Sequence, residues 1–354
     1  MTDPQVPFSS RRRQRAREQL LDAVLNAAGN DRFIFKQSVA ELESAVRGRT
    51  GADTVVACAA PAGGIVMAAN ALGVTRDDRV AVAACAGPEV VAALSMLGAR
   101  PAPVDVSPGT GVPDLATLRS TGARVALVDH PLQVAAPGPL GGPDIAVVHD
   151  ATGLADALFA SWAPGLWDDA AVTGLGRDGP LLAAGDGALV VTHKAPGRTV
   201  RMLRNHGQDG VTRFLHHQIG RNSRMDELVA SFAVTMLMHA DAARERTAAL
   251  AARYDDRLDD LRAAGVHPID SVGLPRGTGY GVVADQRDCV LAALAKHGIE
   301  VGPLLKPPPW LDHETHPGAA TVVTGGLLLP LHPDLIDHQL DLVVATVLGS
   351  RGDE

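Results

Sequence analysis

Short apolar runs alternate with amphipathic stretches through the first half of this chain. Thr54–Ala59, Arg79–Ala84, Arg100–Asp105, Ala123–Val128 and Ile145–His149 each carry enough Val, Ala, Leu or Ile for one buried strand and too few for a helix. Helical patterns separate several of them, at Gly63–Leu72, Pro88–Leu97 and Asp114–Thr121. The alternation predicts βαβ units, hence a mainly parallel sheet sandwiched by helices. Upstream, Arg13–Asn26 sets Leu20, Leu21, Val24 and Leu25 on one helical face, and Ser38 with Glu41 has capping-box spacing for a second helix.

Farther along, Pro131–Asp144 is rich in Pro and Gly and reads as a loop, while Leu181-Leu182 and Ala188–Thr192 read as a strand pair around Gly185-Asp186-Gly187. From Arg224 to about Ala263 a 3.6-residue period runs through Met225, Leu228, Val229, Phe232 and Met236, predicting one long helix that bridges two lobes. Gly279–Val283, Asp288–His297, Leu327–Leu331 and Gln339–Leu348 then alternate as a smaller α+β lobe. The expected division is residues 1–240, a large α/β domain with an N-terminal helical arm, and residues 241–354, a small C-terminal domain.

Composition narrows the partners. Hydrophobic residues make up 46% of the 354 and aromatics only 3%, so the core must be built from Ala, Val and Leu. A net charge of −8 argues against nucleic acid as a partner. The basic cluster from Arg11 to Arg17 reads as a solvated first helical turn. The sequence has no apolar run of membrane-spanning length and no secretory h-region, so a cytoplasmic protein without a membrane partner is expected. Cys58, Cys85 and Cys289 are odd in number and set in apolar sequence, which reads as buried free thiols in a reducing compartment. The stretches His216-His217 and Asp312-His313 to His316 do not put three ligands on one face, so no metal is expected.

The stretch Gly220-Arg221-Asn222-Ser223-Arg224-Met225-Asp226-Glu227-Leu228 resembles the GxNxRM-x-E-L element of the DegT/StrS family. That family comprises the sugar aminotransferases dependent on pyridoxal phosphate (PLP) and relatives such as the aminocyclitol and aminohydroxybenzoate synthases. Ser38-Val-Ala-Glu-Leu-Glu43, Gly185-Asp-Gly187 with Val190-Val-Thr192, and Leu329-Pro-Leu-His332-Pro333 agree with it in order and spacing, so the resemblance covers essentially the whole chain. It implies a fold-type-I aminotransferase-like dimer. It also implies that Asp150, in Val147-Val148-His149-Asp150-Ala151, is the strand-end carboxylate that pairs with the pyridine nitrogen of PLP. His149 beside it is a candidate acid or base, although neighbours on a strand point to opposite faces. Asp150 itself is open to two readings, a ligand contact or a cap on a neighbouring loop.

Other cofactor positions depart from the family pattern. Counting forward from Asp150, Asp169 falls on a family aspartate, Gly174 on its serine and Gly179 on its Schiff-base lysine, and the window Ala170–Ala184 contains neither Lys nor His. The phosphate-binding S-S-G-T turn reads Ala59-Ala60-Pro61-Ala62, which lacks hydroxyls and one backbone donor. The ring-stacking aromatic is missing from Ala84–Pro88, including Gly87, and the glutamine after the carboxylate is Gly153. The family's cross-subunit loop keeps Asn222 and Arg224, with His217 just before it. Lys306 lies where the family's small lobe covers substrate; there it would meet a phosphate or carboxylate, or simply precede a polyproline turn.

These departures predict that no cofactor is bound. Three functions then stand open. The chain is a pseudo-aminotransferase, complementing or supporting an active paralogue in sugar, cyclitol or other specialised-metabolite biosynthesis as a homodimer or heterodimer. Alternatively it is a PLP-independent enzyme or small-molecule-binding protein reusing the old pocket. Or it is an ordinary aminotransferase whose lysine, Lys194 or Lys36, lies elsewhere in the sequence.

Overall fold

The computed structural model describes residues 4–9, 17–29, 37–134, 140–154, 169–175, 186–193, 196–212, 214–269, 277 and 279–350. Its main sheet is built from β1 (Thr54–Cys58), β2 (Arg79–Ala83), β3 (Arg100–Val104), β4 (Val125–Asp129), β5 (Ala146–Asp150), β6 (Ala170–Gly174) and β7 (Ala188–Thr192). Their order is β1-β7-β6-β5-β4-β2-β3, and β7 runs antiparallel to both of its neighbours while the rest share one direction. The strands β4, β6 and β7 are buried along their whole length, as expected for a sheet covered on both faces. Pro101 and Pro103 cannot donate to a ladder, and β3, which carries them, stands at the sheet's edge.

Helices α1 (Arg17–Ala28), α2 (Gln37–Thr50), α3 (Pro61–Ala71), α4 (Pro88–Leu97), α5 (Leu115–Ser120), α6 (Pro196–Arg204) and α7 (Glu227–Leu237) surround this sheet. On one face α2 and α7 close a core around Val55, Ala57, Ala171, Leu189 and Val191. On the other, α3, α4 and α6 pack on Val56, Val82, Val148, Val172 and Val190. Gly64 lets α3 press onto the strands: a Cβ there would stand 2.8 Å from Val172 Cγ1 and 3.1 Å from Val190 Cγ2.

A second sheet, in the order β10-β9-β8, joins β8 (Val266–Pro268), β9 (Gly279–Ala284) and β10 (Gly326–Pro330) in antiparallel pairs. Helix α11 (Pro317–Gly325) clusters through Ala319, Val322 and Val323 with Ala83, Cys85 and Val106 of the first lobe, whereas α8 (Ala240–Asp255), α9 (Leu258–Ala263), α10 (Arg287–Lys296) and α12 (Asp337–Gly349) enclose a separate core with the second sheet. Tyr254 and Tyr280 stack there at 4.4 Å, and the Tyr254 hydroxyl donates to the Pro330 carbonyl. His332 of the Leu-Pro-Leu-His-Pro stretch is buried and lies 3.0 Å from the Pro7 carbonyl through Nε2, tying the N-terminal segment to this core.

Four expectations need correction. The predicted long helix is three, α7, α8 and α9, broken at Met238-His239 and at Asp256-Arg257. Breaks this short leave the apolar period in step, so periodicity alone does not register them. Ser38 is no N-cap; its amide and that of Val39 instead reach Glu227 Oε2 at 2.8 and 3.4 Å. Strand β7 pairs with β1 and β6 rather than closing a hairpin, and Leu181, Leu182 and Gly185 lie outside the described residues. Cys289 is exposed, unlike Cys58 and Cys85. Among the described residues no helix is long and apolar enough to cross a membrane.

Candidate active site

In this topology Cys58, Ala83, Val104, Asp129, Asp150 and Gly174 end their strands on one edge of the sheet, the edge where parallel α/β sheets take ligands. Asp150 is buried there. Its Oδ1 accepts from the amide of Thr152 at 3.0 Å and from the Thr152 hydroxyl, and Oδ2 has no protein partner among the described residues. Burial pushes this carboxyl up to about 6, against the opposing pull of Thr152. The Asx turn and the free oxygen coexist, so a local cap and a ligand contact are compatible in one side chain.

The strand register places Asp129, on β4, directly beside Asp150. Asp129 is buried, its Oδ2 accepts from the Gly87 amide at 2.7 Å, and its Oδ1 has no partner among the described residues. Burial first, and the neighbouring Asp150 second, raise this carboxyl to about 7. Sequence reasoning passed over Asp129. The signal was available: it ends the apolar run from Ala123, just as Asp150 ends the next one. Gly87 fits because a Cβ there would stand 3.2 Å from Asp129 Oδ2.

His149 is fully buried on the face away from Asp150. Its ring stacks on His130 with centroids 5.4 Å apart, and its Nδ1 lies 3.1 Å from His130 Nε2. Burial drives His130 down to about 3, so it is neutral; its Nδ1 lies 3.1 Å from the Val134 carbonyl. If Nδ1 carries the proton, His149 Nδ1–H donates to His130 Nε2.

The N-terminus of α3 opens at the same edge. Ala60 sits at the N-cap with extended backbone and no side-chain cap, Pro61 follows at the first helical position, and the amides of Ala62 and Gly63 have no acceptor among the described residues. Free amides at a helix start are a place for an anion. Gly174 explains the lost family serine: a Cβ on it would meet Thr152 Cγ2 at 2.8 Å and Pro61 Cγ at 3.3 Å. Pro61 and Gly174, both departures from the family pattern, thus pack with Thr152 as one group. Gln133 lies against Gly153, its Cγ 3.0 Å from where a Cβ on that glycine would stand, so a glutamine side chain reaches that spot from the loop after β4. Trp310, from the second lobe, donates its indole N–H to the Ala83 carbonyl at 3.5 Å, at the head of the stretch that lacks an aromatic.

The GxNxRM stretch is stitched to its own chain. Ala59 donates to the Ser223 carbonyl, Ser223 to Arg204, and Arg221 to Leu203. The Arg224 guanidinium donates to Asn205 Oδ1 at 3.1 Å, whereas Asn222 is exposed. His217 lies 3.0 Å from Asp209, away from the crevice, and Lys306 is exposed on its loop. Gly179 lies outside the described residues. Lys194 and Lys36 lie outside the described residues; β7 ends at Thr192-His193 on the opposite edge of the sheet, with His193 4.0 Å from Asp53 before β1. Glu227, in the same stretch, works through α2: Glu227→Ala removes the acceptor of both the Ser38 and Val39 amides and is expected to lower stability by about 1–2 kcal/mol, read as a lower urea midpoint.

The crevice therefore retains a carboxylate for a ring nitrogen and free helix-start amides for a phosphate, without a lysine in the family's column. These groups fit the ring nitrogen and the phosphate of a PLP-type cofactor. The comparisons with known proteins bear on the same point. The erythromycin biosynthesis sensory transduction protein EryC1 of Saccharopolyspora erythraea is 28% identical over 213 residues, spanning 57% of this chain and 58% of that protein. The match thus covers little more than half the length of that curated relative. An aminotransferase of the DegT, DnrJ, EryC1 and StrS type from Brucella abortus has the same fold, with a TM-score of 0.84, 22% identity, and coverage of 98% of this chain and 100% of the other. The NtdA protein of Bacillus subtilis, solved with bound cofactor PMP, aligns with a TM-score of 0.82 at 15% identity over 100% of this chain and 86% of its own.

The expectation that no cofactor is bound is overturned by this kinship: the matching family is one of aminotransferases, a structure of the same fold holds PMP, and Asp150 keeps an oxygen free. With the family's sequence profile matching residues 14–122 and 144–348, the chain belongs to the DegT/DnrJ/EryC1/StrS aminotransferase family.

Proposed function

We propose that this chain acts in the biosynthesis of a sugar-bearing specialised metabolite as a subunit without a Schiff-base lysine, working beside a relative that carries one. A PLP-type cofactor would be held non-covalently, with Asp150 available to its ring nitrogen and the Ala62 and Gly63 amides available to its phosphate. When bound, such a cofactor supplies an electron sink. This chain's own residues bind and orient it, and the step that needs an amine nucleophile falls to the relative. The observation that carries the reading is the open Asp150 oxygen at a strand end whose family lysine column is Gly179. A partner is supported by the arm at residues 205–222, where Val211, Phe214 and Ile219 are 86%, 84% and 97% exposed beside the exposed Asn222.

The test is co-expression with a lysine-bearing relative, borohydride reduction and intact-mass measurement of each chain. The expected result is an adduct on the relative and none here, with this chain still releasing cofactor on denaturation. In the mixed assembly Asn222→Ala is expected to weaken cofactor retention by about one to two decades, the worth of a charge-assisted hydrogen bond to phosphate. A reduced adduct on any of the four lysines of this chain, or full turnover by this chain alone, rejects the reading in favour of a self-sufficient aminotransferase.

A further inference from the structure

We propose that Asp129 and Asp150 share one proton, so that the crevice presents a single negative charge and selects a ligand carrying one positive charge on an N–H donor. The arrangement comes from the sheet. Parallel register sets the two carboxyls side by side on one face, on strands about 4.8 Å apart. Both are buried, and among the described residues neither has a basic side chain as a partner. Two like charges so placed cannot both be kept at low cost, and the pair resolves this by retaining a proton.

Asp129 is the holder. Its Oδ2 is committed to the Gly87 amide, which favours charge there, while Oδ1 is sealed from solvent with no donor to serve. A proton on Oδ1 turns that orphan acceptor into a donor. Asp150, by contrast, has Thr152 supporting its charged form and an oxygen left open. Among the described residues, the other titratable neighbours add no positive charge. Cys85, from the end of β2, is a buried thiol pushed up by burial and by Asp129. Asp105, from the end of β3, is engaged by the amides of Gly318 and Ala319 at the start of α11. His130 is neutral and faces His149, and Glu89 on α4 adds further negative potential at Asp150. Asp129 therefore acts as a positioning residue that sets the charge Asp150 shows to the ligand.

The ligand half of this inference rests on the cofactor reading above; the proton half does not. Infrared spectra of the unliganded full chain, titrated from pH 5 to pH 9, test the proton. Ordinary carboxyls are ionised by about pH 6, so a carbonyl-stretch band of a protonated acid at about pH 6.5, shifted in heavy water, is expected in the wild type and expected to be lost in Asp129→Asn. No such band in the wild type, or an unchanged band in Asp129→Asn, overturns the proposal; the wild-type titration decides even if the variant fails to fold. Pyridoxamine phosphate binding tests the charge. Asp129→Asn, which mimics the protonated acid, should bind within about threefold of wild type and lose the pH dependence between 6 and 8. Asp150→Asn should bind at least about tenfold more weakly. Equal loss in both variants overturns the shared-proton assignment. Failure of the wild type to bind refutes the cofactor reading and the ligand half, while the infrared band still decides the proton.

Discussion

Asp129→Asn is expected to make this protein more stable at pH 8 and to leave it nearly unchanged at pH 4. The wild-type carboxyl is buried, without a cation beside it among the described residues, and raised from an ordinary 3.8 to about 7. A folded-state value above the unfolded one means that the native chain binds the proton more tightly. The stability this contributes is fully present below about pH 4 and is lost as pH rises through about 7. A shift of roughly three pH units corresponds to about 4 kcal/mol as an upper bound. Asparagine keeps an oxygen for the Gly87 amide and carries no charge, so the variant loses this slope. Other carboxyls, such as those of Asp114 and Asp209, are held low by backbone amides and act in the opposite sense, but they cancel between the two proteins. Urea unfolding at pH 4, 6 and 8 reads the difference. Parallel pH profiles for wild type and variant would show that Asp129 is already ionised and tolerated.

Glu43→Ala is expected to cost about 3–5 kcal/mol, the range for removing one partner of a buried ion pair. Glu43 Oε1 receives the Arg204 guanidinium at 2.7 Å and the Ala57 amide at 2.9 Å, and Oε2 receives Arg201 at 2.9 Å. The side chains of Glu43 and Arg204 are only 13% and 8% exposed, so the substitution would leave Arg204, which also donates to the Ala57 carbonyl, charged in a nearly dry site without its carboxylate. The group joins α2, β1 and α6 directly beneath Ala59 and Ala60, so its loss should also loosen the α3 start. A double variant, Glu43→Leu with Arg204→Met, is expected to recover most of the stability, because two apolar side chains leave no charge to solvate. The midpoints of thermal unfolding for the two single variants and the double would measure this. A double variant as unstable as Glu43→Ala would mean that packing at this corner matters more than charge.

Both residues show how differently motif and mechanism were legible. Glu43 and Glu227 stand out in the sequence as parts of family-like stretches, yet the sequence does not say what they do. The structure shows them as anchors: Glu227 caps α2 and Glu43 locks Arg204, so these stretches are preserved by the folding of this edge. Asp150 was legible because it ends an apolar run and sits in a recognisable string. Asp129 ends the neighbouring run, but its weight depends on which strands are adjacent, and β4 and β5 become neighbours only through the crossover.

The sequence by itself determined the fold class, the strand positions of β1 to β5, the helices α3 to α5, the elements β9, α10, β10 and α12 of the second lobe, and the absence of a lysine from the family column. Those features follow from local periodicity and from residue identity, which need no partner. The tertiary structure alone decided the rest. It broke the long helix at Met238 and Asp256, where a one- or two-residue interruption leaves the hydrophobic period intact. It placed β7 antiparallel between β1 and β6, so that β7 ends at Thr192 on the edge opposite Asp150. It brought Pro61, Thr152 and Gly174 into one packed group and put Asp129 beside Asp150. The physical reason for the strand order, the packed group and the carboxyl pair is one: contact across a sheet joins residues tens of positions apart, and charge and packing are properties of that contact.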